Sequence, residues 1–164
     1  MTRVRPARDI RVSPTCFVDT NVLVYARDAS EPEKQQSAER WLRALWAARA
    51  GRLSAQVLNE YYVVVTEKLQ PGLDCEQARA DVRNLTAWAP VPTDRSVIEG
   101  AWTVQDRHGL SWWDSLVVSA AQVAGCAWLL TEDLEHDRLF DGVRVVDPFR
   151  IEPEEILSRR PQGR

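Results

Sequence analysis

Residues 17–28 read FVDTNVLVYARD, and the acid near the start of this stretch decides how the rest of the chain is understood. An apolar run, TCFVD (15–19), ends on a carboxylate, passes through Thr20 and Asn21, and turns apolar again. Asp is a poor strand residue, and one at the end of a core strand needs a turn, a partner or a metal. TCFVD therefore predicts a short buried strand whose carboxyl end carries Asp19. Taken alone, the acid has an ordinary explanation as an Asx turn, with Asn21 capping a short helix.

Outward from this strand, helical and extended patterns alternate. Residues 31–51, EPEKQQSAERWLRALWAARAG, open on Pro32 among acids, carry Ala38, Trp41, Leu42, Leu45 and Trp46 as an apolar stripe, and stop at Gly51. RLSA (52–55) reads as a brief strand, and its Ser54 can cap the helix AQVLNEYYVVVTEKLQ (55–70). Another helix, DCEQARADVRNLTAW (74–88), precedes the strand-like APVPT (89–93). DRSVIEGAWTVQDRHG (94–109) begins at Asp94 as N-cap and ends at Gly109, and SWWDSLVVSAAQVAG (111–125) ends at Gly125. Then come a strand, AWLLT (127–131), an acidic turn, EDLEHD (132–137), and a last strand, VRVVD (143–147). Short strands alternating with longer helices predict a three-layer α/β/α sandwich around a mostly parallel, roughly five-stranded sheet. In such sheets ligands bind at the carboxyl ends of the strands, where strand order reverses. Asp19 stands at one such end, and Asp133 just beyond another.

The chain has 164 residues, enough for one domain with a substantial core. Its 21 Lys and Arg against 24 Asp and Glu leave a net charge of −3, which argues against a general nucleic-acid coat protein but not against a local basic patch. The basic residues are nearly all Arg, a choice that suits bidentate phosphate contacts and equally reflects a G+C-rich coding sequence. Cys16, Cys75 and Cys126 form no CxxC and no zinc spacing; Cys16 and Cys126 lie beside apolar strand-like runs and are expected to be buried structural thiols, and an odd count with no framework fits a reducing cytosol. Residues 1–14, with Arg3, Arg5, Arg8 and Arg11, have no apolar signal-peptide region, and the longest apolar stretch (116–130) is too short to span a bilayer. A cytoplasmic protein without a membrane segment is expected. Residues 1–14 and 158–164 are expected to be disordered tails around a domain at 15–157, the first tail with the alternative of an RNA-contacting arm.

Three more acids sit where packing alone does not require them. Asp114 lies in the first turn of an otherwise apolar helix, where SWWD has capping-box spacing with Ser111. Glu60 lies mid-helix on the face of Val57 and Val64. Asp133, in LLTEDLEHD, has the ordinary reading of a turn acid. Each is unremarkable alone; together they outline a constellation.

At these residues the sequence resembles the PIN domain family and, within it, the VapC-type toxins of bacterial toxin–antitoxin pairs. The likeness runs from about Thr15 to Phe149 through FVDTNVLVYARD, SAQVLNEYY, LSWWDSLVVSAA, LLTEDLEH and VRVVDPF in that order. It implies an acidic quartet at Asp19, Glu60, Asp114 and Asp133, with polar helpers at Thr20, Asn21, Ser111 and Thr131. The common family pattern reads T-N-D-x-D-F, whereas Glu132 here stands for Asn and Glu135-His136 for Asp-Phe, so the resemblance assigns neither Glu135 nor Asp137 to the metal.

Converging carboxylates repel unless a cation neutralises them, and an all-oxygen set suits Mg²⁺, or Mn²⁺, rather than zinc. The implied activity is hydrolysis of RNA phosphodiester bonds to 5′-phosphate and 3′-hydroxyl ends. Asp19 and Asp114 are expected as principal metal ligands, Asp133 as a further ligand, and Glu60 as the group that orients water or a second ion. Asn21 and Thr131 are expected to fix carboxylate orientation. Arg27, Arg95, Arg107 and Arg138 are candidate phosphate contacts or plain surface residues, and His108 is a loop residue. Trp112 either stacks on a base or packs in the core or at a dimer contact. The resemblance also implies an antitoxin partner and a homodimer. Other readings are a stand-alone RNA-processing nuclease and a non-catalytic RNA- or protein-binding module. A dehalogenase-type phosphatase would need Asp at the position of Asn21, and a receiver domain would need paired acids on the first strand.

Overall fold

The structure, a computed structural model, describes residues 14–158. The tails expected at 1–14 and 158–164 lie, apart from Pro14 and Ser158, outside the described residues. The sheet contains β1 (Cys16–Val18), β2 (Gly51–Arg52), β3 (Trp128–Leu130), β4 (Leu139–Phe140) and β5 (Val143–Val146). Their order is β2-β1-β3-β5-β4, parallel throughout except for the antiparallel β4–β5 pair. Helices cover both sides of the sheet, giving the α/β/α sandwich expected from the sequence.

The strands are short but buried: all three residues of β1 are inaccessible, as are Leu129, Leu130 and Val145 of the neighbouring strands. Around them stand α1 (Thr20–Tyr25), α2 (Pro32–Ala48), α3 (Ala55–Val63), α4 (Cys75–Leu85), α5 (Arg95–His108), α6 (Trp112–Val123) and α7 (Pro153–Leu157). On α2, the buried residues are Ala38, Trp41 and Leu45, the centre of the stripe read from the sequence. Trp46, at the edge of that stripe, is half-exposed and lies against Trp88 with ring centroids 4.9 Å apart. Trp88 also requires Gly51, because a Cβ there would come within 2.5 Å of the indole. Helices α5 and α6 pack antiparallel through a similarly close approach: Ser119 Oγ donates 2.7 Å to the carbonyl of Val97 and sits directly over Gly100.

Two strand readings change. APVPT (89–93) contributes only an isolated bridge, Val91 to Ser54. Pro90 and Pro92 flank Val91 and have no N–H to extend a ladder. The fifth strand is instead β4, two residues joined to β5 by the Asp141-Gly142 turn, where both residues have positive φ (45° and 98°). The helix at 55–70 is α3 followed by a π-helical turn, Val64–Lys68, closed by Leu69 N–H donating to Val64 O at 2.9 Å.

Strand order places the site. From β1 the chain crosses to β2 on one side, and β3 returns to the other, so β1 and β3 flank the point where strand order reverses. Their last residues, Val18 and Leu130, are register partners, so Asp19 and Thr131 emerge side by side.

Candidate active site

Asp19 is the N-cap of α1, its Oδ1 accepting from the Thr20 amide at 2.7 Å. The local cap is therefore real, but it uses one oxygen only. Oδ2 accepts from the Thr131 hydroxyl at 2.9 Å, and Asn21 Nδ2 lies 3.5 Å away. The same Asn21 amide donates at 3.0 Å to Thr131 Oγ1 and at 3.0 Å to Asp133 Oδ2. Asp133 is further fixed by its own amide, which donates to Thr131 Oγ1 at 3.1 Å. Asn21 thus lies inside α1 as a strut between two acids rather than at its cap.

Glu60 joins the cluster through Thr20, whose hydroxyl donates to Oε2 at 2.9 Å, while Gln56, one turn earlier on α3, donates to Oε1 at 2.9 Å. Its carboxylate is held rather than trailing in solvent. Asp114 is placed differently. Ser111 Oγ caps its amide at 3.1 Å, but the reciprocal half of the capping box is absent. Among the described residues nothing donates to the Asp114 carboxylate. No hydrogen bond joins Asp114 to the other three acids. Trp113, the residue before it, lines a depression of about 710 Å³ together with Thr20 and Glu60, but Asp114 does not line it.

The electrostatics follow from the burial. Asp19 is only 7% exposed. Desolvation pushes its carboxyl from 3.8 up to about 7, and the charges of Asp133 and Glu60 add to the rise. The Thr20 amide and Thr131 hydroxyl oppose it without cancelling it. An acid buried beside two others near neutrality is what a cation would relieve. The donor set, carboxylates together with the buried and unpartnered Asn21 Oδ1, consists of hard oxygens. It fits Mg²⁺ or Mn²⁺ by chemistry, although among the described residues no three acidic, His or Cys side chains are gathered into a ready-made metal cage.

The remaining candidates sort by their contacts. Glu135 and Asp137 have no hydrogen bond to the Asp19 cluster; Asp137 instead shapes the turn before β4, with φ of 66°. Arg27 makes a forked pair with Asp81, Arg95 pairs with Glu99, and Arg107 with Asp141. Arg138 donates to the His108 carbonyl at 3.3 Å and lies over Phe140. All four arginines thus have partners within the fold. His108 ends α5, packed edge-on against Phe140. Trp112 packs on the core, whereas Trp113 is 63% exposed. Of the residues lining the depression, sequence reasoning did not single out Gln56, Lys68 or Trp113. Only Gln56 left a signal there, four residues before Glu60 and so on the same helix face.

A reversed strand order with acids at its switch point defines a class of α/β proteins with an oxygen-rich pocket at the sheet's carboxyl edge. The PIN domain profile matches residues 16–140, and the chain belongs to the PIN domain family. Three solved structures share the fold. A toxin–antitoxin complex from Klebsiella pneumoniae matches with TM-score 0.58 and 18% identity, over 84% of this chain and 100% of that chain. The sarcin–ricin-loop-cleaving toxin VapC20 of Mycobacterium tuberculosis matches with TM-score 0.54 and 22% identity, over 70% and 87%. VapBC2 from Rickettsia felis, bound to a DNA fragment of its promoter, matches with TM-score 0.51 and 17% identity, over 80% and 96%. A search of curated proteins gives no significant match. No helix among the described residues is long and apolar enough to cross a membrane.

Proposed function

We propose that this protein is a metal-dependent endoribonuclease and the toxin of a toxin–antitoxin pair. The observation that carries the nuclease reading is the network Asp19–Thr131–Asn21–Asp133, joined through Thr20 to Glu60, at the switch point of the sheet. The toxin reading is supported by family membership and by solved relatives that are toxins or toxin–antitoxin complexes. Mg²⁺ or Mn²⁺ would be held by Asp19, Asp114 and Asp133 and would supply charge neutralisation at the phosphate and a more acidic bound water.

The chain's own residues do the rest. Thr131 and Asn21 hold Asp19 and Asp133 at fixed angles, so the carboxylates need not reorganise when RNA arrives. Thr20 and Gln56 fix Glu60, which orients the attacking water and accepts its proton. Water oxygen bonds to phosphorus as the bond to the 3′-oxygen breaks, and a proton passes to that leaving oxygen. The products are a 5′-phosphate and a 3′-hydroxyl.

Purified protein is expected to cleave RNA with Mg²⁺ or Mn²⁺ and to stop in EDTA. Asp19→Asn and Asp114→Asn should each abolish cleavage, because acids of one metal site act as a unit. Undiminished cleavage by both variants would place the activity elsewhere. For the toxin role, expression alone should arrest growth of the host, and co-expression of a small adjacent reading frame should restore it. Harmless expression of a protein with high ribonuclease activity would leave a stand-alone RNA-processing nuclease.

A further inference from the structure

Glu132 stands immediately before Asp133, and the two side chains are gripped by different helices. Asp133 Oδ2 accepts from Asn21 of α1, whereas Glu132 Oε2 accepts from Lys34 Nζ of α2 at 2.7 Å. The same ammonium donates to the Tyr25 hydroxyl at 3.2 Å. It also lies 4.5 Å and 5.1 Å from the ring centroids of Tyr25 and Phe149, which meet edge to face at 5.2 Å. An exposed ion pair is loosely held and contributes little. This one is partly buried, with Lys34 36% and Glu132 23% exposed, and two rings fix the position of the cation.

Nothing in α2 itself calls for a cation at this position. Lys34 lies in the first turn, just after Pro32, where the helix dipole disfavours positive charge and favours an acid such as Glu33. The pair serves the turn instead. Backbone bonds tie that turn to β5 at both ends, Thr131 N–H to Val146 O at 3.1 Å and Asp137 N–H to Val145 O at 3.0 Å. Between those points Lys34 holds it from the α2 side. We infer that Lys34 is a positioning residue for Asp133. By drawing Glu132 onto α2 it fixes the turn from which Asp133 reaches the Asp19 cluster, and it keeps a competing carboxylate out of that cluster. The inference rests on the reading of Asp133 as a metal ligand. Its sign runs against simple electrostatics: deleting a cation near an acidic site should strengthen cation binding, whereas releasing the turn should weaken it.

Calorimetric titration of the full chain with Mn²⁺, without RNA, reads that sign. Lys34→Met keeps the stem against the two rings and deletes the charge. It should weaken Mn²⁺ binding about tenfold, the lower end of the roughly tenfold to hundredfold loss usual when a group that orients a ligand is removed. Lys34→Arg should recover most of the affinity. Glu132→Ala should weaken binding as well, and adding Lys34→Met to it should change nothing further, because the two act as one unit. Arg40→Met is the control: it breaks another ion pair of α2, with Glu152, and should leave Mn²⁺ affinity unaltered. Unchanged or tighter Mn²⁺ binding in Lys34→Met would overturn the proposal, as would absence of Mn²⁺ binding by the wild type. Should Lys34→Met fail to fold, wild-type Mn²⁺ affinity in Glu132→Ala overturns it equally. With RNA present, saturating Mn²⁺ should return Lys34→Met to the wild-type kcat and KM. A raised KM for RNA with Mn²⁺ affinity unaltered would make Lys34 a phosphate contact instead. The two readings fail separately. Lys34-dependent Mn²⁺ binding by a wild type that cleaves no RNA would sink the ribonuclease and spare the positioning role; cleavage with Lys34-independent Mn²⁺ affinity would do the reverse.

Discussion

Asp19 is held in two ways that pull against each other. Hydrogen bonds from Thr20 and Thr131 favour its charge, while burial and the neighbouring acids disfavour it more, leaving the carboxyl at about 7. Between its ordinary 3.8 and that value, the folded chain keeps a proton that the unfolded chain has released. Stability contributed by this group is thus present at low pH, falls as pH rises through that window, and stays low above it. In EDTA, wild type should lose stability relative to Asp19→Asn as pH rises, at about 1.4 kcal/mol per pH unit within the window. Asp19→Asn should melt no lower than wild type at the alkaline end. Parallel pH profiles from denaturant melts would show that the carboxylate is not buried as a charge. Asn21 makes a second test. Asn21→Ala removes the strut between Asp19 and Asp133 and should lower cleavage roughly tenfold to a hundredfold, the usual effect of losing a group that orients ligands. Wild-type rates in that variant would remove the strut from the mechanism. Each acid had an ordinary local explanation in the sequence, and only their occurrence together, within five motifs in order, pointed to a constellation. Trp113 was not legible, since adjacent helix positions differ by about 100° of rotation and only the packing of α6 decides which indole faces out.

At the scale of elements, the α5–α6 contact turns on a single atom. A Cβ at Gly100 would stand 2.4 Å from Ser119 Oγ but 3.5 Å from Ser119 Cβ. Gly100→Ala should therefore destabilise by about 1–3 kcal/mol through overpacking, despite a helix-propensity gain of roughly 1 kcal/mol. Ser119→Ala should cost about 1 kcal/mol for the lost bond to Val97. The double variant should be more stable than the sum of the two implies, because removing Oγ makes room for the new methyl. Additive values in urea melts would mean that the helices slide apart instead. The helices were readable from caps and apolar spacing, and Ser54, Asp94 and Ser111 cap as their positions suggested. The small strands were not. APVPT looks extended because proline makes it so, yet the same prolines deny it a ladder. Leu139 and Phe140 are too few to show any alternation, and only the turn that folds them back on β5 makes them a strand.

For the whole molecule, a cation that binds the native state alone stabilises it by mass action, about 1.4 kcal/mol at tenfold excess over Kd. In a chain of this size that is roughly 3–6 °C in Tm. Wild type should shift upward with Mg²⁺ or Mn²⁺ and Asp19→Asn much less; an equal shift in both would remove Asp19 from the site. The order of the sheet was only partly legible. Alternation of strands and helices predicts parallel strands and a switch point, but nothing local in the sequence specifies that β3 lies beside β1. That choice belongs to the packing of the whole core.

The same order leaves β2 and β4 at the two borders of the sheet, each only two residues long. A border that short offers almost no free backbone for another chain to copy. Partners must then be recognised through side chains on helical surfaces rather than by adding a strand. The chain is also poorly suited to seed the edge-to-edge stacking from which fibrils propagate.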